Sequence, residues 1–268
     1  MKSAVKRIKG LLWALMYVAL YYAVSFCVYN IYFLWLVKAA VYSLPDAERT
    51  AINNSYFLTA ITWIICLWLY VLIGKLRKNP VRKMIKEKTD PPIIYLMAAV
   101  LAIGCRLLVV VYYSLAQKAD FLNRSIENAM NTSPEITTLG QGLMAVFCIV
   151  LIAPFFEELL FRVLVMGELM KIMRPWAAIL LQGVAFGVVH GAIYQSLFAF
   201  AIGVILGVIY YKTQNIKVVT TSHAMFNFSA FLMQDELTLR GTLVFILTGI
   251  LLLSLSFFYI VAYTKRKE

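Results

Sequence analysis

Apolar residues run along this chain in long stretches, separated by short basic or mixed segments. A bilayer's hydrocarbon core of about 30 Å asks for about 20 helical residues. On that ruler the runs predict spans at about 11–37, 56–74, 92–116, 141–160, 176–192, 194–211, 217–234 and 242–263. The fold expected is therefore all-α, a polytopic membrane protein of about eight transmembrane helices. The first run, Leu11 to about Val37, is too long for the apolar region of a signal peptide and lacks a clear small-x-small cleavage site, so it reads as a retained span. Composition agrees. Of 268 residues 62% are hydrophobic and 14% charged, with a mean hydropathy of +0.81, whereas soluble domains are about 45–50% apolar. No polar stretch is long enough to build a separate soluble domain, and residues 1–268 read as one integral membrane domain.

The net charge of +12 would suggest nucleic acid in a soluble protein, but here its placement explains it. With the N-terminus inside, cytoplasmic segments collect Lys2, Lys6, Arg7 and Lys9, seven basic residues from Lys75 to Lys88, Lys171 and Arg174, Lys212 and Lys217, and Lys265, Arg266 and Lys267. That is eighteen, against five on the other side: Lys38, Arg49, Lys118, Arg124 and Arg240. Most loop acids, such as Asp46, Glu48, Asp120 and Glu135, fall on the poorer side. Cytoplasmic loops carry the excess of Lys and Arg, so both termini are expected in the cytoplasm, with an attraction to anionic lipid and no nucleic-acid partner. Cys27, Cys66, Cys105 and Cys148 all fall in spans without a CxxC pair and read as small packing residues.

Chemistry concentrates in PFFEELLFRVLVMGEL, Pro154 to Leu169. Charge at the centre of a spanning helix costs roughly 2.5–3.5 kcal/mol per residue on the insertion scale, so Glu157, Glu158 and Arg162 read as a functional site. Glu158 and Arg162 are four apart, acid before base, in pairing geometry. Glu157 lies about 100° further round the helix and is left to address a neighbouring helix or a cavity. A purely structural charge knot is the competing reading. Arg106, in the third span, is open to snorkelling, pairing with a carboxylate or lining the site.

Two later spans hold the chain's only histidines. In LLQGVAFGVVHG, Gly183, Gly187 and Gly191 recur every four residues, which lets another backbone approach closely, and His190 follows Phe186 by four. In TTSHAMFNF, His223 and Asn227 share a face. Should these groups meet Glu157, the cluster holds a carboxylate base, two imidazoles and an amide donor, the parts that activate a water and stabilise an oxyanion. Depth argues against straight, upright helices. His223 follows Lys217 by six residues, roughly 9 Å, while His190 is 16 beyond Arg174, roughly 24 Å.

Glu157-Glu158-Leu-Leu-Phe-Arg162, Phe186-Gly-Val-Val-His190 and His223-Ala-Met-Phe-Asn227 together resemble the CAAX prenyl protease and bacteriocin-processing (CPBP, or Abi) family of intramembrane proteases, whose pattern is EExxxR, FxxxH and HxxxN on successive helices. The resemblance covers roughly residues 150–230, within a catalytic core set at 141–234. It implies a membrane endopeptidase with a site inside the bilayer, open to water from the cytoplasmic side. Carried over, Glu157 is the general base and His190 helps to position the water. His223 and Asn227 bind the oxyanion, while Glu158 and Arg162 support the helix. A glutamate-type enzyme needs no metal, the reading preferred here; alternatively Glu157, His190 and His223 supply three ligands to Zn2+ with an open fourth position. There is no HExxH.

The substrate class implied is a membrane-associated peptide or protein, a prenylated CaaX protein in a eukaryotic host or a bacteriocin leader in a prokaryotic one. The short chain without a targeting extension favours a bacterial inner membrane. Two rivals use the same residues: a proton- or ion-coupled transporter, and a non-catalytic immunity or scaffold protein.

Overall fold

Each apolar run becomes a helix in the computed structural model, which describes residues 2–39, 42–78, 81, 89–233 and 239–265. In chain order these are α1 Lys2–Lys38, α2 Leu44–Asn53, α3 Ser55–Leu76, α4 Pro92–Ala116, α5 Asp120–Asn131, α6 Leu139–Leu169, α7 Pro175–Val188, α8 Ile193–Thr213, α9 Ile216–Ala230 and α10 Leu239–Lys265. No strand occurs among the described residues. The chain is an all-α, multi-pass membrane protein. In hydrocarbon no water bonds the backbone, and helices satisfy their N–H and C=O groups within each segment.

Among the described residues six helices, α1, α3, α4, α6, α8 and α10, are long and apolar enough to cross a membrane. The other two expected spans form as α7 and α9 but reach only 14 and 15 residues, about 21–23 Å at 1.5 Å per residue and short of the ~30 Å core. α7 ends early for a local reason. α7 stops at Val188 and gives way to a turn in which Gly191 takes φ +77°, a conformation open to glycine at little steric cost. α8 ends at Gln214, left-handed at φ 52°, and Asn215 then caps α9 through its side chain to the Lys217 N–H. A hydropathy ruler sees apolar residues beyond Val188 and Ala230 but not the turns. The basic stretch after Arg77 lies largely outside the described residues, as do Arg266 and Lys267.

Close helix crossings hold the bundle. A Cβ on Gly183 would meet Val204 Cγ2 at 2.7 Å, and one on Gly187 would meet the Ser196 carbonyl at 2.7 Å, so two of the three spaced glycines seat α7 against α8. The third, Gly191, serves the turn instead. Gly104 of α4 and Gly249 of α10 make a similar crossing, each facing the other's carbonyl oxygen. Arg106 sits half-buried on α4 and is engaged there. Cys66, Cys105 and Cys148 are buried and unpaired, whereas Cys27 is exposed.

Two polar ties fix the ends. Asp90, before α4, accepts from Asn215 Nδ2 at 2.7 Å and from the Tyr263 hydroxyl at 2.8 Å, which pins the starts of α4 and α9 to the end of α10. At the opposite ends of α4 and α9's neighbour α8, the connection between α4 and α6 contains the amphipathic helix α5. Its irregular remainder is held to α2 by Arg49 with Glu135 and by the Glu135 N–H on Asn53 Oδ1. Thr138 and Gln141 then form a capping box that starts α6, satisfying free N–H groups of its first turn.

Candidate active site

The site is built on an irregularity of α6. Phe147–Ile152 and Leu159–Val165 are π-helical, on either side of the α-helical segment Ala153–Glu158 that carries the paired glutamates. Pro154 explains the first. Proline within a helix has no N–H to give and crowds the carbonyl of the preceding turn. Here the Ala153 N–H reaches back to Cys148 O, so the next carbonyl, Ile149 O, would look to residue 154 for its i→i−5 donor and finds proline. Asn227 fills the gap: its Nδ2 donates to Ile149 O at 2.8 Å. A π-turn inside an α-helix is a frequent companion of functional sites, and this one draws the amide of α9 onto the glutamate helix.

The two glutamates, adjacent in sequence, occupy different surroundings. Glu158 is fully buried with Arg162, whose Nη2 donates to Oε1 at 3.1 Å; Arg162 Nε lies 2.9 Å from Oε2 without the alignment of a hydrogen bond. His223 Nδ1 donates to the same Oε1 at 2.9 Å. Glu157 is 23% exposed, and its Oε2 stands 3.8 Å from His223 Nε2, beyond direct hydrogen-bond reach. That oxygen is buried and takes no hydrogen bond from the described protein groups. One imidazole thus faces both carboxylates, with Nδ1 committed and Nε2 left towards Glu157.

Gln182, absent from the sequence reading of the site, closes the arrangement. Arg162 Nη1 donates to Gln182 Oε1 at 2.7 Å, and Gln182 Nε2 donates to Gly203 O and Ile179 O, each at 2.8 Å. The amide therefore joins α6, α7 and α8. An intramembrane amide in LLQGV was the available signal, overshadowed by the glycines beside it. Without a Cβ at Gly207 the amide fits, since a Cβ there would meet Gln182 Nε2 at 2.5 Å.

Phe186 reconciles the two histidines. Its ring lies 4.9 Å from His190 and 5.7 Å from His223, centroid to centroid, and beneath the Arg162 guanidinium at 4.8 Å. His190 does not ride on the helix, as expected from the span at 176–192, but follows its last turn. Its Nδ1 lies 2.6 Å from Phe186 O. A carbonyl only accepts, so Nδ1 carries a proton, and in the neutral imidazole Nε2 is then the acceptor. Phe186 touches both imidazoles, while Glu157 faces His223 and Asn227 bonds α6 at Ile149, so the four candidate residues are linked through α6, α9 and the Phe186 ring. His190 also borders a groove of about 880 Å³ between α5 and the turn before α8, lined by Arg124, Ser125 and Asn128.

The donor set fits a tetrahedral metal poorly. Among the described residues no group of three His, Cys, Asp or Glu side chains is placed to hold an ion.

A family model covers this same segment. Residues 139–229 match the family model described as "Type II CAAX prenyl endopeptidase Rce1-like". Over 86 residues the chain is 31% identical to the Bacillus subtilis (strain 168) protein named "Putative membrane peptidase YdiL", a stretch covering 32% of this chain and 35% of that protein. The match thus spans about a third of the relative's length. No solved structure matches. The resemblance to the CPBP membrane proteases is shown for residues 139–229, the stretch that holds all three motifs.

Proposed function

We propose that the protein is an intramembrane endopeptidase that uses Glu157 as general base on a water held between Glu157 Oε2 and His223 Nε2. The observation that carries this reading is the division of labour between the two glutamates: Glu158 is committed to Arg162 and His223, while a buried oxygen of Glu157 has no donor among the described residues. The water oxygen attacks the peptide carbonyl carbon, its proton passes to Glu157, and the carbonyl oxygen becomes an oxyanion. His223 spends Nδ1–H on Glu158, and its Nε2, when it carries a proton, faces that oxyanion. Asn227, with one amide hydrogen on Ile149 O, has a second to offer. Collapse of the tetrahedral species breaks the C–N bond, and Glu157 returns its proton to the leaving amine. His190 Nε2, held by the Nδ1 bond to Phe186 O, positions the water as an acceptor.

The substrate class that suits such a site is a peptide attached to or embedded in the membrane, a prenylated C-terminal segment or a bacteriocin leader. Cytoplasmic placement of both termini follows the charge imbalance, and cysteine labelling at position 77 or 171 from outside intact cells would overturn it. The chemistry is tested with purified protein and a membrane-anchored reporter peptide. Wild type cleaves it and continues to do so after exhaustive chelation, while Glu157→Gln, nearly isosteric but unable to accept the proton, does not. Undiminished cleavage by the variant ends the glutamate assignment; reversible loss on removing a stoichiometric metal ends the metal-free part.

A further inference from the structure

Away from the glutamate pair, α6 ends in a second polar cluster that the proposed chemistry does not use. Glu168, 2% exposed, accepts from Arg77 Nη1 at 2.8 Å and from Lys171 Nζ at 2.9 Å through one oxygen, Oε1. Arg77 donates also to the Tyr17 hydroxyl at 2.9 Å and lies over the Trp13 ring at 3.8 Å. These groups, with Lys6 and Lys9 of α1, wall a pocket of about 390 Å³.

Three chain segments change from apolar to basic at this one place. α1 does so between Leu11 and Lys9, α3 between Leu76 and Arg77, and α6 between Leu169 and Lys171. Their meeting marks a membrane interface, where headgroups lie. Inside the pocket four cations face a single carboxylate, and Glu168 is already shared by Arg77 and Lys171. Lys6 and Lys9 are exposed and paired with no acid among the described residues. Arg77, held from two sides by Glu168 and Tyr17 and backed by Trp13, presents a fixed guanidinium, the group best matched to phosphate oxygens. A Cβ on Gly10 would meet Ile172 Cγ2 at 2.6 Å, so glycine keeps α1 close enough to α6 for both lysines to serve the pocket.

We propose that this pocket binds a phosphate-bearing anion, supplied by the headgroup of an anionic phospholipid or by free phosphate. Basic pockets between transmembrane helices at the interface bind such headgroups. The bound group bridges Lys6 and Lys9 of α1 to Arg77 and Lys171, and so ties α1 to the end of the glutamate helix.

The test uses the full chain in nanodiscs of phosphatidylcholine with a minor fraction of phosphatidylglycerol. Native mass spectrometry counts retained phosphatidylglycerol, and titrations with short-chain phosphatidylglycerol and with inorganic phosphate give affinities. Lys6→Gln with Lys9→Gln is expected to weaken binding by about fivefold for each charge and roughly 30-fold together. The control pair Lys212→Gln with Lys217→Gln, basic residues at another helix turn, should leave it unchanged. Binding of short-chain phosphatidylglycerol alone assigns the site to lipid; binding of inorganic phosphate with equal affinity assigns it to a soluble anion. Retention that is the same in the Lys6/Lys9 variant and wild type, or that falls equally in the control pair, overturns the proposal. Cleavage is not the readout, so this outcome is independent of the protease assignment.

Discussion

α6 carries a charged cluster at each of two levels, and the same three ingredients, a glutamate, an arginine and an aromatic ring, behave differently in each. At Glu158 and Arg162 both side chains are wholly buried, and every further contact comes from protein: Gln182, His223 and the Phe186 face. At Glu168 the acid is buried, but Arg77 is 18% and Lys171 43% exposed. Burial opposes the charge on Arg77, yet the hydrogen bond and charge of Glu168 outweigh it and raise its pKa above the usual value. The deep cluster excludes water and must satisfy itself, whereas the shallow one shares its cations with the interface. The first is suited to holding a helix geometry, and the second to exchanging partners.

The largest effect that would break this comparison lies in the deep cluster. Arg162→Leu leaves Glu158 charged among apolar neighbours, and losing one member of a buried pair costs about 3–5 kcal/mol. Folded yield and thermal stability in detergent should fall well below those of Glu157→Gln, which leaves the buried Glu158–Arg162 pair in place. Wild-type yield for Arg162→Leu would show that the deep cluster is no more structural than the shallow one.

Asn227→Ala comes next and separates two roles of one side chain. Losing an oxyanion donor lowers turnover by roughly 10²–10³, and the orphaned Ile149 carbonyl adds about 1–3 kcal/mol of destabilisation. In a Pro154→Ala background residue 154 regains an N–H for that carbonyl, so the stability penalty of Asn227→Ala should shrink while the turnover loss persists. Penalties that simply add would remove the link between Pro154 and Asn227. Gln182→Leu follows, at about 1–3 kcal/mol for the Arg162 N–H it leaves unmet, read in the same melting assay.

The membrane class and the helix order were legible because apolar run length is a direct physical requirement of the bilayer. So was the contact between Glu158 and Arg162, since i,i+4 neighbours meet on any nearly regular helix. Turn positions were less so: the apolar residues after Val188 and Ala230 continue the composition of the helices they follow, and only φ at Gly191 reveals the first break. The π-turns were invisible for a different reason. Pro154 announces a disturbance, but whether a helix kinks, breaks or widens depends on which donor reaches the freed carbonyl, and Asn227 is 78 residues from Ile149. Gln182 and Phe186 likewise act through partners on other helices.

The smallest effect probes the shallow cluster. Glu168→Gln removes a charge but keeps a carbonyl oxygen for one cation, and the other can turn to the interface because Lys171 is 43% exposed and Arg77 is not sealed. Ion pairs with an exposed member contribute roughly 0–1 kcal/mol, so the expected loss is below about 1 kcal/mol and shrinks further with salt, since the Debye length falls to about 3 Å at 1 M. Melting temperatures of Glu168→Gln and wild type, compared at low and high ionic strength, measure it. A loss as large as that of Arg162→Leu and insensitive to salt would mean that the shallow cluster is as closed as the deep one, and that its cations have no freedom to meet a headgroup.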